Sequence, residues 1–332
     1  MLISEALIPD LAAAAIGFTI ITYVILDGTD LGVGILLATR RDPADKQVMV
    51  NSILPIWDGN ETWLVLGAGG LLALFPVAYS ILFSALYIPI ITMLLALIGR
   101  AVALEFRADA STRMKRGLDI CLIAGSTIAT LCQGIVMGCV MQGVEHRDGR
   151  FAGDGWEWLG PFPLTCGLVL AIGYSLLGSS WLYWRTEGAL QAAAKAYART
   201  LGWLTLSGIA SIVLWTCWHS PVYREHLAQS SLVMPLLVAQ CALLVGFRWG
   251  FSSRFHCLPL FAVLGWFVVG FAAAVITLHP FILPDSLTIS QASAPLSSQA
   301  FLLTGFAVLV PMTLAYSTWG VWVFRGKVKA DV

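Results

Sequence analysis

The sequence predicts an all-α, polytopic membrane protein with nine transmembrane helices, and three observations lead there. The 332-residue chain is 58% hydrophobic and 11% charged, with a mean hydropathy of +0.82. Soluble domains carry about 25% charged residues, so a soluble chain of this size could not cover its surface. Nine apolar stretches come close to or exceed the roughly 20 residues that a spanning helix needs. The basic residues gather in alternate connections between those stretches. An ordinary cytosolic enzyme and a disordered chain are excluded. The net charge is zero, which leaves no basic surface for nucleic acid.

Taken in order, the spans are read at about 8–38, 53–75, 77–104, 118–144, 160–184, 201–219, 231–249, 257–279 and 300–324. The first has no Lys or Arg between Met1 and Leu26 and no clean cleavage signal. It is therefore expected to stay as a helix rather than to be a signal peptide. Only Phe75-Pro76-Val77 separates the second span from the third, which predicts a tight helical hairpin. The first and third are long enough to tilt or to project beyond the lipid. Pro89 and Pro311 predict kinks in the third and ninth. The longest stretches outside the spans are 145–159 and 280–299. The second of these is Ser- and Pro-rich and reads as an exposed loop. No soluble domain is visible, so residues 1–332 form one integral membrane domain.

Charge sets the expected orientation. Odd-numbered connections hold Arg40, Arg41 and Lys46, then Arg107, Arg113, Lys115 and Arg116, then Arg185, Lys195 and Arg199, then Arg248 and Arg254. The tail adds Arg325, Lys327 and Lys329. The opposite side has only Arg147, Arg150 and Arg224, and Arg100 lies inside a span. This bias places the N-terminus outside and the C-terminus in the cytoplasm. Trp156, Trp158 and Trp218 fall near outer ends, and Trp181, Trp184, Trp203, Trp249 and Trp322 near inner ends, in the manner of an interfacial aromatic belt.

Charges within spans are costly and point to function. Asp27 and Asp30 lie three apart on the first span, and Asp58 and Glu61 three apart on the second, so each pair shares a helix face. Arg100 sits near the inner end of the third, with Glu105 about one turn further on. All reach the same inner-half layer, Asp58 about 8 Å from the inner end of its span at roughly 1.5 Å per residue. Three readings stay open. Arg100 could pin helices by ion pairing. The carboxylates could exchange protons with water on the inner side. The same groups could bind a substrate or a quinone headgroup.

Glycines fit close helix packing. Gly28, Gly32 and Gly34 surround Asp30, and Gly67, Gly69 and Gly70 follow the Asp58 segment. Gly134 with Gly138, and Gly246 with Gly250, are small-x-x-x-small pairs. The seven cysteines lie in or beside apolar stretches without a C-x-x-C, and read as small packing residues rather than as disulfides or a zinc site. His146, His219, His226, His256 and His279 fall at helix ends or in loops. They give no paired haem ligands and no copper cluster, and no nucleotide-binding or hydrolase motif is present.

Two segments are distinctive together: Asp27-Gly-Thr-Asp-Leu-Gly-Val-Gly34 and Asn51-Ser-Ile-Leu-Pro-Ile-Trp-Asp-Gly-Asn-Glu61. Gly69-Gly70, Phe75-Pro76, Tyr79, Ser84, Tyr87, Arg100 and Glu105-Phe106-Arg107 follow. This series resembles subunit II of the cytochrome bd-type quinol oxidases, including the cyanide-insensitive branch. The clearest motifs cover about the first 110 residues. The rest matches in length, helix count and orientation.

The resemblance implies a bacterial inner-membrane complex that oxidises ubiquinol or menaquinol and reduces dioxygen to water. It implies two four-helix bundles, at about 8–144 and about 160–279, and a peripheral ninth helix at about 300–324. Haem b, with haem d in some members, is carried by a partner subunit I. No redox-catalytic residue and no metal ligand are expected in this chain. Some members hold a structural quinone in subunit II. The partners it allows are subunit I, small single-helix subunits, quinol and membrane lipid. The resemblance also implies that carboxylates of subunit II contribute to a proton route from the cytoplasm toward the oxygen-reducing haem. Asp58 is the first candidate, with Asp30 a second relay group or the ion-pair partner of Arg100, and Trp57 shaping the site. Glu61 stands where the family also tolerates a neutral amide, which argues against an obligatory proton role. Protons consumed inside and released outside would then generate the membrane potential without a pump. A proton-coupled secondary transporter is the rival reading, since inner-half carboxylates and a buried Arg would serve it too.

Overall fold

The computed structural model describes residues 7–328, apart from the side chains of Pro221, Val222 and His226. Residues 1–6 and 329–332, Lys329 among them, lie outside the described residues. The chain begins with α1 (Ile8–Leu36), α2 (Pro43–Ile53), α3 (Trp57–Leu74), α4 (Pro76–Ala85), α5 (Tyr87–Phe106) and α6 (Thr112–Gln142). A small antiparallel hairpin, β1 (His146–Arg147) and β2 (Arg150–Phe151), leads to α7 (Pro161–Arg185), α8 (Gly188–His219), α9 (Pro221–Gln229), α10 (Val233–Gly250) and α11 (Leu258–Leu278). A second hairpin, β3 (Phe281–Leu283) and β4 (Leu287–Thr288), is followed by α12 (Ile289–Ala292) and α13 (Leu296–Val323). Prolines occupy the first turns of α1, α2, α4, α7 and α11, where a missing N–H costs nothing. Asp42 caps α2 by accepting from the Ala44 N–H at 2.9 Å, and Gly143 ends α6 at φ 90°.

Eight helices among the described residues are long and apolar enough to cross a membrane. The second expected span differs: Pro55 interrupts the chain, so residues 54–56 join two helices and α3 starts at Trp57. With 18 residues α3 has the length of a span, but its opening turns carry Asp58, Asn60 and Glu61. The third expected span is divided at Leu86. The cause is Pro89, which cannot donate to the Ala85 carbonyl and whose ring crowds it. The sixth is longer than expected. The Ala-rich residues 188–200 continue the helix, so α8 spans about 48 Å at ~1.5 Å per residue. The 280–299 segment, expected as an exposed loop, folds inward: Leu283, Leu287, Ile289 and Ala292 are buried, and the Ala294 N–H donates to the Leu74 carbonyl at 2.9 Å. Its apolar residues supply the contact that its Ser and Pro content masks.

α1 and α7 lie at the centre. α1 packs on α3, α6, α7, α11 and α13, and α7 on α1, α6, α8 and α11. α8, α10 and α13 leave most of their apolar surface exposed. Lipid tails are as apolar as leucine, so close packing holds such helices together. A Cβ on Gly32 would coincide with the Tyr174 carbonyl, and one on Gly178 with the Gly32 backbone, so α1 and α7 touch main chain to main chain. A Cβ on Gly134 would come within 2.6 Å of the Cys166 carbonyl, and one on Gly138 within 2.7 Å of Pro163 Cα, which fixes α6 on α7. Of the expected Gly246–Gly250 pair, Gly246 meets nothing within 4 Å, while a Cβ on Gly250 would lie 2.6 Å from Pro259 Cδ at the start of α11. After α13, Lys327 donates to the Thr186 carbonyl at 2.9 Å and the Val328 N–H to the Arg185 carbonyl at 2.8 Å. Burial there holds the Lys327 ammonium below its usual pKa. Gly32→Leu should cost about 3 kcal/mol by overpacking and abolish monodisperse elution in mild detergent, while Gly246→Leu leaves the elution unchanged.

Candidate functional site

Three helices converge on one guanidinium. Asp27 and Asp30 project from one face of α1, Glu61 and Asn60 from the start of α3, and Arg100 from α5. Asp27, Asp30 and Arg100 are wholly buried. Arg100 Nη2 lies 2.8 Å from Asp27 Oδ1 and 3.9 Å from Asp30 Oδ2, and its Nη1 donates to Glu61 Oε1 at 2.7 Å. The Asn60 amide donates to Asp30 Oδ2 at 2.7 Å. Gly125 of α6 makes room, since a Cβ there would lie 3.1 Å from Arg100 Cβ and 2.6 Å from the Ala96 carbonyl. One cation thus faces three carboxylates. Both Asp27 oxygens, Asp30 Oδ1, and Arg100 Nε and Nη2 lack an aligned hydrogen bond. The cluster is held by charge at short range and keeps spare acceptor capacity.

The remaining residues singled out in the sequence lie outside this cluster. Asp58 is exposed at the start of α3, where it accepts from the Gly59 N–H at 2.8 Å and stands within electrostatic reach of Glu61. It sits one turn nearer the exposed start of α3 than Glu61, and among the described residues it makes no ion pair with Arg100. Trp57 is half-buried against the core below, and Glu105 is exposed and forms no ion pair among the described residues. A groove of about 280 Å³ between the start of α3 and the end of α13 runs past Gly59 and Asn60 and is walled by Tyr316 and Trp319.

Sequence reasoning that followed only charges missed the neutral partners. Tyr174 donates to Gln133 Oε1 at 2.9 Å, and Gln133 Nε2 donates to Tyr23 Oη at 2.8 Å, beside Asp27. Gln133 in the middle of an apolar span, and Tyr23 one turn before Asp27, were the available signals. A second buried pair was also missed. Arg107 Nε donates to Asp119 Oδ1 at 2.7 Å, Lys46 reaches Asp119 Oδ2 at 3.2 Å, and Arg107 Nη1 donates to Gln47 at 2.6 Å. This ties α2 to the α5–α6 turn.

Fold and site together define a multi-pass helical membrane protein that keeps a carboxylate–arginine cluster inside its helix packing. A family model for cytochrome bd terminal oxidase subunit II matches residues 8–324. The chain is 31% identical to cytochrome bd-I ubiquinol oxidase subunit 2 of Escherichia coli K12, covering 96% of this chain and 94% of that one. It is 25% identical to cytochrome bd ubiquinol oxidase subunit 2 of Bacillus subtilis, covering 96% of each. Its fold matches a chain of the bd oxidase from Geobacillus thermodenitrificans with a TM-score of 0.81 at 18% identity, over 96% of this chain and 98% of that one. The chain belongs to the cytochrome bd terminal oxidase subunit II family. It is a bacterial membrane subunit of a respiratory oxidoreductase complex.

The family implies haem in the complex and a partner subunit I. The described histidines do not fit a haem held by two imidazoles within this chain. His256 packs on Tyr183 before α11, and His279 closes the other end of that helix beside Asp10. His146 faces the Val144 carbonyl in the first hairpin loop, and His219 is exposed at the end of α8. The His226 side chain lies outside the described residues. Arg100→Gln should destabilise the chain by about 3–5 kcal/mol, because it leaves buried carboxylates uncompensated; a thermal-unfolding series on the purified complex measures the loss.

Proposed function

We propose that this chain is subunit II of a complex that oxidises quinol and reduces dioxygen, that it pairs with and stabilises a haem-bearing subunit I, and that its carboxylates help deliver protons from the cytoplasm. The observation that carries the proton reading is a stepwise fall in exposure along one line of acids. Asp58 is open to solvent, the Glu61 side chain is 26% exposed, and Asp27, Asp30 and Arg100 are enclosed. Asp58 is then the entry group, Glu61 the transfer group, and Asp30 the buried acceptor steadied by Asn60. One buried guanidinium cannot balance three ionised carboxylates in a dry site, so the cluster takes up protons. The groove beside Asn60 supports access of water to Asp30. The Escherichia coli and Bacillus subtilis relatives are ubiquinol oxidase subunits, which supports ubiquinol as the electron donor. The poor fit of the described histidines to a haem supports its placement in subunit I, and the described donor set gives no reason to assign a metal here. A structural quinone, small single-helix subunits and lipid complete the proposed surroundings.

The proposed topology has nine spans, with α3 the second and α4–α5 together the third. The N-terminus lies outside and the C-terminus in the cytoplasm of a bacterial inner membrane. One bundle occupies about 8–144, a second about 160–279, and α13 lies peripheral to both. The fifteen-to-three bias of basic residues supports this arrangement.

In the purified complex, Asp30→Asn should slow oxygen uptake per haem at least about tenfold with haem content intact, and Glu61→Gln should slow it less, because an amide is tolerated at that position in the family. Asp58→Asn should slow it only severalfold, because water can replace an exposed entry group. Loss of haem in step with uptake would assign these residues to assembly instead. A phosphatase fused after Arg150 should be active, and one fused after Lys327 inactive; the reverse pattern would invert the topology.

A further inference from the structure

The hydrogen-bond chain beside Asp27 has a direction. Tyr174 of α7 is wholly buried, and its O–H donates to Gln133 Oε1 at 2.9 Å. The other end of the same amide, Nε2, donates to Tyr23 Oη at 2.8 Å. Tyr23 now accepts a hydrogen bond, so its single proton is free for another acceptor. Asp27 lies one turn along α1, on the same face and within electrostatic reach, and both its oxygens lack an aligned donor. Tyr174 and Gln133 thus donate in the direction of Asp27, and the Tyr23 proton is left for that carboxylate. Gly28 seats the first ring, since a Cβ there would lie 2.6 Å from Tyr174 Cε1. Among the described residues, no equivalent chain reaches Asp30, whose hydrogen-bond donor is the Asn60 amide.

We propose that Tyr174, Gln133 and Tyr23 form a directed latch that keeps Asp27 as the fixed counter-ion of Arg100 and leaves the exchangeable proton to Asp30 and Glu61. The latch rests on the proton-delivery reading above and divides labour within that cluster. The charged and titratable groups around Asp27 are Tyr23 and Asp30 on α1, Glu61 on α3, Arg100 on α5 and Tyr174 on α7. α6 adds only the neutral Gln133. A donor aimed at a carboxylate favours its charged form. With Asp27 on Arg100 Nη2 at 2.8 Å, Asp30 at 3.9 Å from the same atom is the buried acid left to gain and lose a proton, and Glu61, on Nη1 at 2.7 Å and 26% exposed, exchanges it with water. Tyr23, Gln133 and Tyr174 are positioning residues that act through Asp27.

The test uses the intact, purified oxidase. Without the latch, Arg100 is released toward Asp30, which then gives up its proton more readily. In Tyr23→Phe and Gln133→Leu the alkaline limb of oxygen uptake against pH should therefore move about one unit lower. Haem content should stay constant. Infrared difference spectra on reduction should show a protonated-carboxyl band that Asp30→Asn or Glu61→Gln diminishes and Asp27→Asn retains. An unchanged pH profile in Tyr23→Phe, which removes a single oxygen, overturns the latch even if Gln133→Leu fails to assemble. A band lost in Asp27→Asn and kept in Asp30→Asn also overturns it. If Asp30→Asn and Glu61→Gln leave turnover per haem unchanged, the proton-delivery reading itself falls, and the latch with it.

Discussion

A guanidinium enclosed within a membrane protein must be answered by charge. Arg100 is wholly buried, and an uncompensated cation there would be prohibitively unstable in surroundings of low dielectric constant. Its partners come from two other helices, so α1, α3 and α5 have to meet at one depth. That requirement constrains the backbones as well as the side chains. Gly125 lets α6 approach behind Arg100, and Gly32 with Gly178 lets α7 close on α1. The same helices that satisfy the charge also seat Gln133 and Tyr174, so the neutral hydrogen-bond chain and the ion cluster share one scaffold.

The arrangement separates rigidity from access. Asp27 and Asp30 lie on the helix with the most neighbours, in the best-packed part of the molecule. Glu61 and Asp58 lie at the polar start of α3, next to the chain interruption at Pro55 and the groove along α13. The two aspartates next to Arg100 are thus enclosed, and the acids open to water stand at the rim. α2, held by Asp119 through Lys46 and by Arg107 through Gln47, braces that rim from the side.

Helix existence was legible in the sequence because spanning segments must satisfy their backbone internally and cover it with apolar side chains. Boundaries were less so. The polar opening of α3 hid where the span begins, and the Ala-rich start of α8 lacked the hydropathy of a span although it is strongly helix-forming. Pro89 marked the interruption of the third span, but the break falls at Leu86, one turn earlier, where the missing hydrogen bond acts. The ionisable residues of the site stood out because charges are rare in such a chain. Which of them meet was not readable: Asp58 and Glu61 share a face, yet only Glu61 reaches Arg100. Gln133, Tyr23 and Tyr174 carried no charge to draw notice, and their pairing spans helices far apart in sequence.

That separation has a consequence for biosynthesis. α1 enters the membrane with Asp27 and Asp30 before either of its essential partners exists. Arg100 follows about 70 residues later, and Gly178, which seats α7 against α1, about 150 residues later. At ~5–20 residues per second, the nascent chain holds two aspartates in an unfinished helix for several seconds before a cation arrives, and for roughly ten seconds or more before α7 does. The polar face of α1 must be sheltered during that interval by water, lipid headgroups or the insertion machinery. The order of synthesis therefore exposes the helix that carries both buried aspartates first and encloses it last.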